Sequence, residues 1–337
     1  MTSIHKGYKI TPSIAFILGD PAGIGPEVTF KSLKHYEAER IFNPVLIGNY
    51  SSSIPYKNHL KGQFKVINPG EAVSELKVDE AYFYDICKDI KVVQTGEISS
   101  ESGMIAYESI KFAVDLRSRR SVDAAVMAPI SKESLKKAGS GFMSEFELFE
   151  ELANVKKVRA VVKCASLFRS TVVGHVPFKD IPVHLTTSGI VETASSLNMT
   201  MHRFGIDRPE LAIAALNPHG GEGGLLGNEE RTVINPALNL LKEQGIDVKG
   251  VFPADTLMAR ARRGEFQGLV YLYHDQGNMA FKAANFGENV LIYTGMPYII
   301  SSVGHGTAFD IAGKGIANEH NFLEAIDATV RLVLDSK

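Results

Sequence analysis

Cysteine is scarce in this sequence. Cys87 and Cys164 are the only two among 337 residues, and neither belongs to a Cys-x-x-Cys pair. This pattern argues against a disulfide framework. Each cysteine lies in or beside an apolar, strand-like run, so we expect two buried thiols in a protein from a reducing compartment.

Long hydrophobic runs and blocks of like charge are missing as well. No apolar run approaches the roughly 18 residues of a membrane span, and the polar residues 1–9 lead directly into a predicted strand. The 36 basic and 38 acidic residues leave a net charge of -2, without a long block of one sign. This balance argues against a nucleic-acid surface. We therefore expect a cytoplasmic protein that binds neither membrane nor nucleic acid.

No internal repeat and no low-complexity linker interrupts the chain. Hydrophobic residues make up 45% of it and charged residues 22%, which is typical of a folded globular protein. Because 337 residues exceed what one compact core usually serves, we expect two domains or one large α/β unit. Buried strands that alternate with helical patterns favour the α/β class with mostly parallel sheets.

The alternation can be followed along most of the chain. Predicted strands cover residues 13–20, 44–48, 123–129 and 212–216, and two more are joined by a short turn within 158–186. Helical spacing predicts helices at 101–117 and 322–334, and Pro26 indicates the start of another. The glycine-containing turn 21–27 could cradle a phosphate, although it lacks both Gly-x-Gly-x-x-Gly and the P-loop lysine. Residues 49–100 show no clear pattern.

The strongest local signal is the stretch 268–277, in which an apolar run leads into titratable residues. Residues 269–273 read as a buried parallel strand, and ligands collect beyond the carboxyl ends of such strands. His274 and Asp275 stand at that end, and Lys282 follows within reach. We expect Gly277 to adopt a positive φ in the turn. The simpler alternative is a histidine that only caps a core strand.

Three histidines share the position after an apolar strand: His175, His219 and His274. They lack the i, i+4 spacing of a helical metal motif, so folding or assembly would have to bring them together. Three neutral imidazoles suit zinc or another borderline divalent ion with an open position for substrate. Asp255, Asp275 and Lys282 are the candidates for proton transfer and ligand orientation, with solvated surface charge as the alternative for each. Lys132, after the strand at 123–129, is likewise a site residue or a helix-start charge.

Six segments taken in order resemble the 4-hydroxythreonine-4-phosphate dehydrogenase family over about residues 13–330. They are residues 19–27 (GDPAGIGPE), 128–132 (APISK), 217–224 (NPHGGEGG), 253–256 (PADT), 273–277 (YHDQG) and 302–307 (SVGHGT). The resemblance implies an enzyme of pyridoxine biosynthesis with the two-domain fold of isocitrate and isopropylmalate dehydrogenases. It implies a cofactor-side domain of residues 1–130 and about 288–337, a second domain of about 131–287, and a cleft between them.

The resemblance also implies the roles of individual residues. His175, His219 and His274 match the family's metal ligands, with one supplied across a homodimer interface, and zinc is favoured over cobalt, manganese or magnesium. Lys282 matches a substrate-binding lysine, and Asp255 and Asp275 lie in matching acidic motifs. The segment 305–318 is similar to an adenosine-binding segment, and its candidate cofactor residues are Gly304, His305, Gly306, Asp310, Gly313 and Asn318. Without a basic pair there for a 2'-phosphate, NAD is favoured over NADP.

Three departures from the family pattern concern the substrate pocket. Met143 and Ser144 replace a His-Thr pair, Leu291 replaces an asparagine and Ile300 replaces an arginine. Loss of an arginine removes charge-assisted hydrogen bonds to phosphate worth about 1.5 to 3 kcal/mol each. The segment 300–306 is more similar to the branch that oxidises a cis-dihydrodiol of terephthalate.

These observations predict an NAD-dependent, divalent-metal-dependent dehydrogenase acting on a secondary alcohol of a small hydroxy acid. The nominal substrate is 4-phosphohydroxy-L-threonine, with decarboxylation of the resulting 3-oxo acid. Alternative substrates are a cis-dihydrodiol carboxylate and a 4-phosphothreonate-like acid. The alternatives of another class are a phosphate acyltransferase and a non-catalytic metal or nucleotide sensor.

Overall fold

The computed structural model describes residues 11–37, 41–62, 64–70, 81–91, 93–142, 144–284 and 289–335. The chain divides into two compact units, one of residues 1–158 and 295–337 and the other of residues 159–294. The described residues contain these strands: β1 (Ser13–Ile17), β2 (Asn43–Gly48), β3 (Phe64–Ile67), β4 (Ala81–Asp85), β5 (Ala124–Met127), β6 (Arg159–Cys164), β7 (Leu167–Val173), β8 (Leu211–Ala214), β9 (Val248–Phe252), β10 (Gly268–Tyr273), β11 (Val290–Thr294) and β12 (Ile299–Val303).

The α-helices between them complete the alternating pattern. They are α1 (Gly25–Tyr36), α2 (Tyr50–Ser53), α3 (Ser100–Ser118), α4 (Lys132–Lys137), α5 (Glu145–Ala153), α6 (Ile181–His184), α7 (Thr187–Arg203), α8 (Asn235–Glu243), α9 (Ala254–Arg262), α10 (His274–Ala284) and α11 (His320–Leu334). Serine side chains mark several helix starts. Ser99 accepts a hydrogen bond from the third residue of α3, and Ser131 does the same for α4.

In the first unit the strands follow the order β3-β4-β2-β1-β5-β12, and every neighbouring pair is parallel. The central strand β1 is apolar because both of its faces are covered, and Ile14 to Ile17 are fully buried. Helix α11 packs against β12 and β5, and α3 packs against β1 and β2.

In the second unit the order is β11-β6-β7-β10-β8-β9. The hairpin β6–β7 and the pair β11–β6 are antiparallel, whereas β7, β10, β8 and β9 run parallel. Helices α7 and α10 both pack against β7 and β10. The predicted α/β class with mostly parallel sheets is confirmed.

Most predicted elements are present with small shifts at their ends. The predicted strand 13–20 ends at Ile17. The predicted helix 101–117 corresponds to α3, which is one residue longer at each end, and the predicted helix 322–334 begins two residues earlier at His320. The unassigned region 49–100 contains α2, β3 and β4. Cys164 is buried as expected, but Cys87 is only half-buried. Within the described ranges no helix is long and apolar enough to cross a membrane.

The turn expected after β10 is absent, and the prediction of a positive φ at Gly277 is wrong. Helix α10 begins directly at His274, and Gly277 lies within it. A Cβ atom at Gly277 would stand 3.1 Å from the ring of Tyr271. Glycine is therefore needed there for the close approach of α10 to β10.

The packing of α11 yields a stability prediction. Ile326 is fully buried in the first unit, so Ile326→Ala should lower the free energy of unfolding by about 2 to 5 kcal/mol through lost burial and a residual cavity. Glu324→Ala, on the half-buried side of the same helix, should change it by less than about 0.5 kcal/mol. Urea denaturation measures both variants. Equal losses in the two would contradict this account of the core.

Candidate functional site

Three neighbouring strands of the second unit bring the predicted histidines to one edge of its sheet. Strand β10 lies between β7 and β8 and runs parallel to both. His175 follows β7, His274 follows β10, and His219 lies in the loop after β8. Parallel strands end at the same edge, which is where ligands bind in α/β sheets.

Two of the histidines are in contact. The ring centroids of His175 and His274 are 4.8 Å apart, with the ring planes inclined by 44°. The Nδ1 atom of His274 is 2.7 Å from Oδ1 of Asp275. A carboxylate that holds one ring nitrogen leaves Nε2 as the nitrogen available to a ligand and sets the orientation of the ring.

His219 lies in an unusual left-handed turn. Residues 219–224 all have positive φ, and two of them, His219 at 54° and Glu222 at 42°, are not glycine. Non-glycine residues adopt this conformation at a cost, so the surrounding contacts must impose it. The glycines at 220, 221, 223 and 224 lower that cost for the rest of the turn.

The buried carboxylate of Glu230 holds the residues just before this turn. Its Oε1 atom accepts hydrogen bonds from the backbone nitrogens of Leu216 and Asn217 at 2.9 and 2.8 Å. Its Oε2 atom accepts from Nδ2 of Asn217 at 2.9 Å. The same amide donates to Glu229, and this bond is the main cause that lowers the pKa of the Glu229 carboxyl. The start of the turn is therefore clamped from two sides.

Gln276 connects the strand ends to each other. Its side-chain oxygen accepts from the backbone nitrogen of Leu272 at 2.8 Å, and its side-chain nitrogen donates to the carbonyl of Ala215 at 2.8 Å. One amide thus ties α10 to the ends of both β10 and β8. Sequence reasoning missed this role, although an amide inside the segment 273–277 was the available signal.

Arg169 is a second residue that sequence reasoning missed. It is 7% exposed on β7, and its guanidinium donates to Oδ1 of Asn278 at 2.5 Å and to the hydroxyl of Thr171 at 3.1 Å. Asn278 in turn donates to the carbonyl of His274 at 3.1 Å. Burial lowers the pKa of Arg169 to about 10. This chain of bonds links the strand that precedes His175 to the first turn of α10.

The imidazoles at this edge supply part of the donor set that a metal ion needs. His175 and His274 supply two imidazoles in contact, a nitrogen donor type that suits zinc. Across the described part of the chain, no three His, Cys, Asp or Glu side chains come together in a metal-binding group. One chain therefore presents two adjoining histidines, and His219 stands apart from them.

The three catalytic candidates are on helices of the same unit. Asp275 and Lys282 are both exposed on α10, and seven residues of helix place them on one face about 10 Å apart. Asp255 is exposed in the first turn of α9.

The substrate candidates have diverse surroundings. Leu291 on β11 is half-buried and packs against a core cluster that includes Val162 and Phe281. Ile300 on β12 is 1% exposed. Ser144 caps α5 through a bond from the backbone nitrogen of Glu147, and Met143 lies outside the described residues. Lys132, which begins α4, lies 3.3 Å from Glu145.

The predicted cofactor segment joins β12 to α11 in the first unit. Gly306, Asp310, Gly313 and Asn318 are exposed, whereas Gly304 and His305 are half-buried. A Cβ atom at Gly313 would lie 3.0 Å from a methyl of Thr95, so the backbone approaches its neighbour closely. Exposed backbone with little side-chain cover fits a ligand that is bound by main-chain groups. Oδ1 of Asn318 accepts a bond from the backbone nitrogen of His320 at the start of α11.

The turn at 21–24 does not cradle a phosphate. The backbone nitrogens of Asp20, Ala22, Gly23 and Ile24 each donate to an oxygen of the protein at 2.9 to 3.0 Å. They are therefore not free for an anion, and the phosphate-loop interpretation is wrong for these groups. The Asp20 carboxyl shapes the turn and is fully buried, and burial raises its pKa.

Structural comparison supports the fold at the level of the whole chain. A crystal structure of a terephthalate 1,2-cis-dihydrodiol dehydrogenase from Burkholderia xenovorans has a TM-score of 0.66 at 23% identity and covers 97% of this chain and 99% of its own. Isocitrate dehydrogenase from Methylococcus capsulatus has a TM-score of 0.50 at 15% identity, with 94% and 88% covered. At these identities the likeness shows the fold alone.

More similar proteins carry the names of two related activities. D-threonate 4-phosphate dehydrogenase from Cupriavidus necator is 35% identical over 320 residues, which cover 94% of this chain and 95% of the relative. The 4-hydroxythreonine-4-phosphate dehydrogenase of Klebsiella pneumoniae has a TM-score of 0.81 at 29% identity, with 97% and 99% covered. The one from Burkholderia phymatum has a TM-score of 0.77 at 34% identity, with 96% and 99% covered.

The family model described as pyridoxal phosphate biosynthetic protein PdxA matches residues 40–329. This match covers most of the chain, including all three histidines and the segment before α11. The relatives above are named dehydrogenases, and the matches cover nearly their whole length. The chain therefore belongs to the PdxA family of dehydrogenase enzymes, which confirms the resemblance drawn from its motifs.

Proposed function

We propose that the protein is an NAD-dependent, divalent-metal-dependent dehydrogenase that oxidises the secondary alcohol of a small phosphorylated hydroxy acid. The observation that carries this proposal is the contact between His175 and His274, with Asp275 on His274, at the carboxyl edge of parallel strands. Family membership disfavours the acyltransferase and sensor alternatives, because the relatives are named dehydrogenases.

Different residues of the chain have different roles in the proposed reaction. His175, His219 and His274 would hold the divalent ion, zinc in the first instance, and Asp275 keeps the His274 ring oriented. A bound ion of this kind polarises the alcohol oxygen and stabilises the negative charge that develops there. Lys282 and Asp255 contact the substrate and move its protons. The segment 304–318 would hold NAD, which would supply the hydride acceptor for oxidation of the alcohol to a 3-oxo acid that can then lose carbon dioxide.

The active enzyme in this proposal is a homodimer with shared sites. Each of the three histidines is followed closely by large exposed apolar side chains: Phe178 and Val183 after His175, Leu225 after His219, and Met279 after His274. Exposed apolar residues clustered in sequence around one sheet edge are typical of an interface. A second copy that covers this edge would bury them and bring its own His219 to the contacting pair.

The proposed substrate is a 4-phosphothreonate-type acid, with 4-hydroxythreonine 4-phosphate as the second candidate. The 35% identity to a D-threonate 4-phosphate dehydrogenase supports the first, and the 34% identity to a 4-hydroxythreonine-4-phosphate dehydrogenase supports the second. A dihydrodiol carboxylate has weaker support, because that likeness, at 23% identity, concerns the fold. Within the second unit Leu291 is apolar, so an anion contact there falls to Lys282.

Turnover of several acids side by side tests the proposed reaction. With NAD and zinc, manganese or magnesium, 4-phosphothreonate should give NADH and carbon dioxide at a higher kcat/KM than 4-hydroxythreonine 4-phosphate or a dihydrodiol carboxylate. NADP should be a poorer cofactor. His274→Ala is the matched inactive control. Bound NAD without NADH from any acid would defeat the dehydrogenase assignment, and efficient use of the dihydrodiol alone would overturn the phosphorylated substrate.

Differently tagged variants co-expressed in pairs test the shared site. A purified heterodimer of His219→Ala and His274→Ala contains one complete site, so it should hold about half the wild-type metal and activity. The control heterodimer of His175→Ala and His274→Ala contains no complete site, because these two ligands belong to one chain, and should stay metal-poor. Metal content by mass spectrometry measures both. No recovery in the first pair would rule out His219 as the ligand from the second copy.

A further inference from the structure

The carboxylate of Glu27 is fully buried in the first turn of α1. The sequence indicates it only as a favourable charge at a helix start. Its Oε1 atom instead accepts a hydrogen bond from the ammonium of Lys31 at 2.7 Å and from the backbone nitrogen of Ala317 at 2.9 Å. Glu27 therefore contacts the predicted cofactor segment, 290 residues away in sequence.

Lys31 binds the same segment with its remaining hydrogens. Besides Glu27, its ammonium donates to the carbonyls of Gly315 and Ala317, both at 2.9 Å. These bonds occupy all three ammonium hydrogens. The Lys31 side chain is 17% exposed, so solvent screens the contacts only in part. One ion pair on α1 thus holds a backbone nitrogen and two backbone carbonyls of residues 315–317.

Stability alone is a weak explanation for this ion pair. Removing two charges from water costs free energy that offsets much of their attraction, so a buried pair often contributes little net stability. The second carboxylate oxygen of Glu27 adds to that cost, since it has no hydrogen-bond partner among the described residues. Gly315, whose carbonyl Lys31 holds, has a positive φ, and so does Gly313 two residues before it. Fixing the conformation of such a loop is the role that the geometry favours.

We propose that Glu27 and Lys31 are positioning residues for the cofactor, which hold residues 313–318 ready for the adenosine half of a nicotinamide dinucleotide. This inference rests on the proposed function, because it takes this segment as the NAD site. Pre-ordering a loop removes part of the entropy that binding would otherwise cost. The ion pair of Glu27 and Lys31 is also neutral overall, so Lys31 adds no uncompensated positive charge beside the segment.

Lys31→Met tests the positioning role of this ion pair, because it keeps most of the aliphatic stem and removes the ammonium. If the segment then adopts the binding conformation about a tenth of the time, the Kd for NAD rises about tenfold. The KM for NAD should rise in parallel, while kcat and the KM for the acid stay within about twofold. Hydrogen exchange of residues 311–318 should become faster. Lys34→Met is the matched control, since Lys34 is exposed on the same helix.

Glu27→Gln serves as a second variant that keeps the shape of the side chain and an acceptor for Ala317. Its Kd for NAD should fall between those of wild type and Lys31→Met. Calorimetry and NADH fluorescence measure these affinities without turnover. An unchanged Kd in both variants would overturn the positioning role. A fall in kcat together with similar rises in the KM for NAD and the KM for the acid would overturn it too. If the wild-type protein binds no NAD at all, the proposed NAD-dependent function, on which this inference rests, is itself refuted.

Discussion

The structure depends on the burial of parallel strands whose carboxyl ends meet at one edge. Residues 269–272 of β10 are fully buried, and β7 and β8 pair with this strand on either side. Buried parallel strands are rich in apolar residues, and a polar side chain within them needs a hydrogen-bond partner, as Arg169 has in Asn278 and Thr171. The three histidines follow these strands, where solvent reaches polar groups: His175 and His219 are exposed and His274 is half-buried.

Much of this arrangement could be predicted from the sequence, because apolar runs and the residues that end them are local signals. The strand before His274, the hairpin β6–β7 and helix α11 were predicted on that basis and are present. The contact between His175 and His274 joins residues that are far apart in sequence, so local spacing alone does not exclude a histidine that only caps a strand. The grouping of these histidines at one site was predicted from the family motifs and not from local spacing.

The parts that sequence reasoning missed have long-range causes. Arg169 bonds to Asn278 across 109 residues, and no local pattern distinguishes such an arginine from a solvated one. Gly277 was assigned to a turn because glycine is common in turns, whereas here the closeness of α10 to Tyr271 requires it. The burial of Ile300 likewise depends on which strands and helices surround β12, which no local pattern shows.

The two units use the same physical device to hold a glycine-rich segment. Glu230 accepts hydrogen bonds from two backbone nitrogens before the turn that carries His219, and Glu27 accepts one from the segment before α11. A loop that binds ligands through its backbone must leave many main-chain groups uncovered, which makes it flexible unless it is held elsewhere. A buried carboxylate is well suited to hold it, because it accepts backbone hydrogen bonds strongly. The glycines leave the loop accessible, and the carboxylates give it a defined conformation.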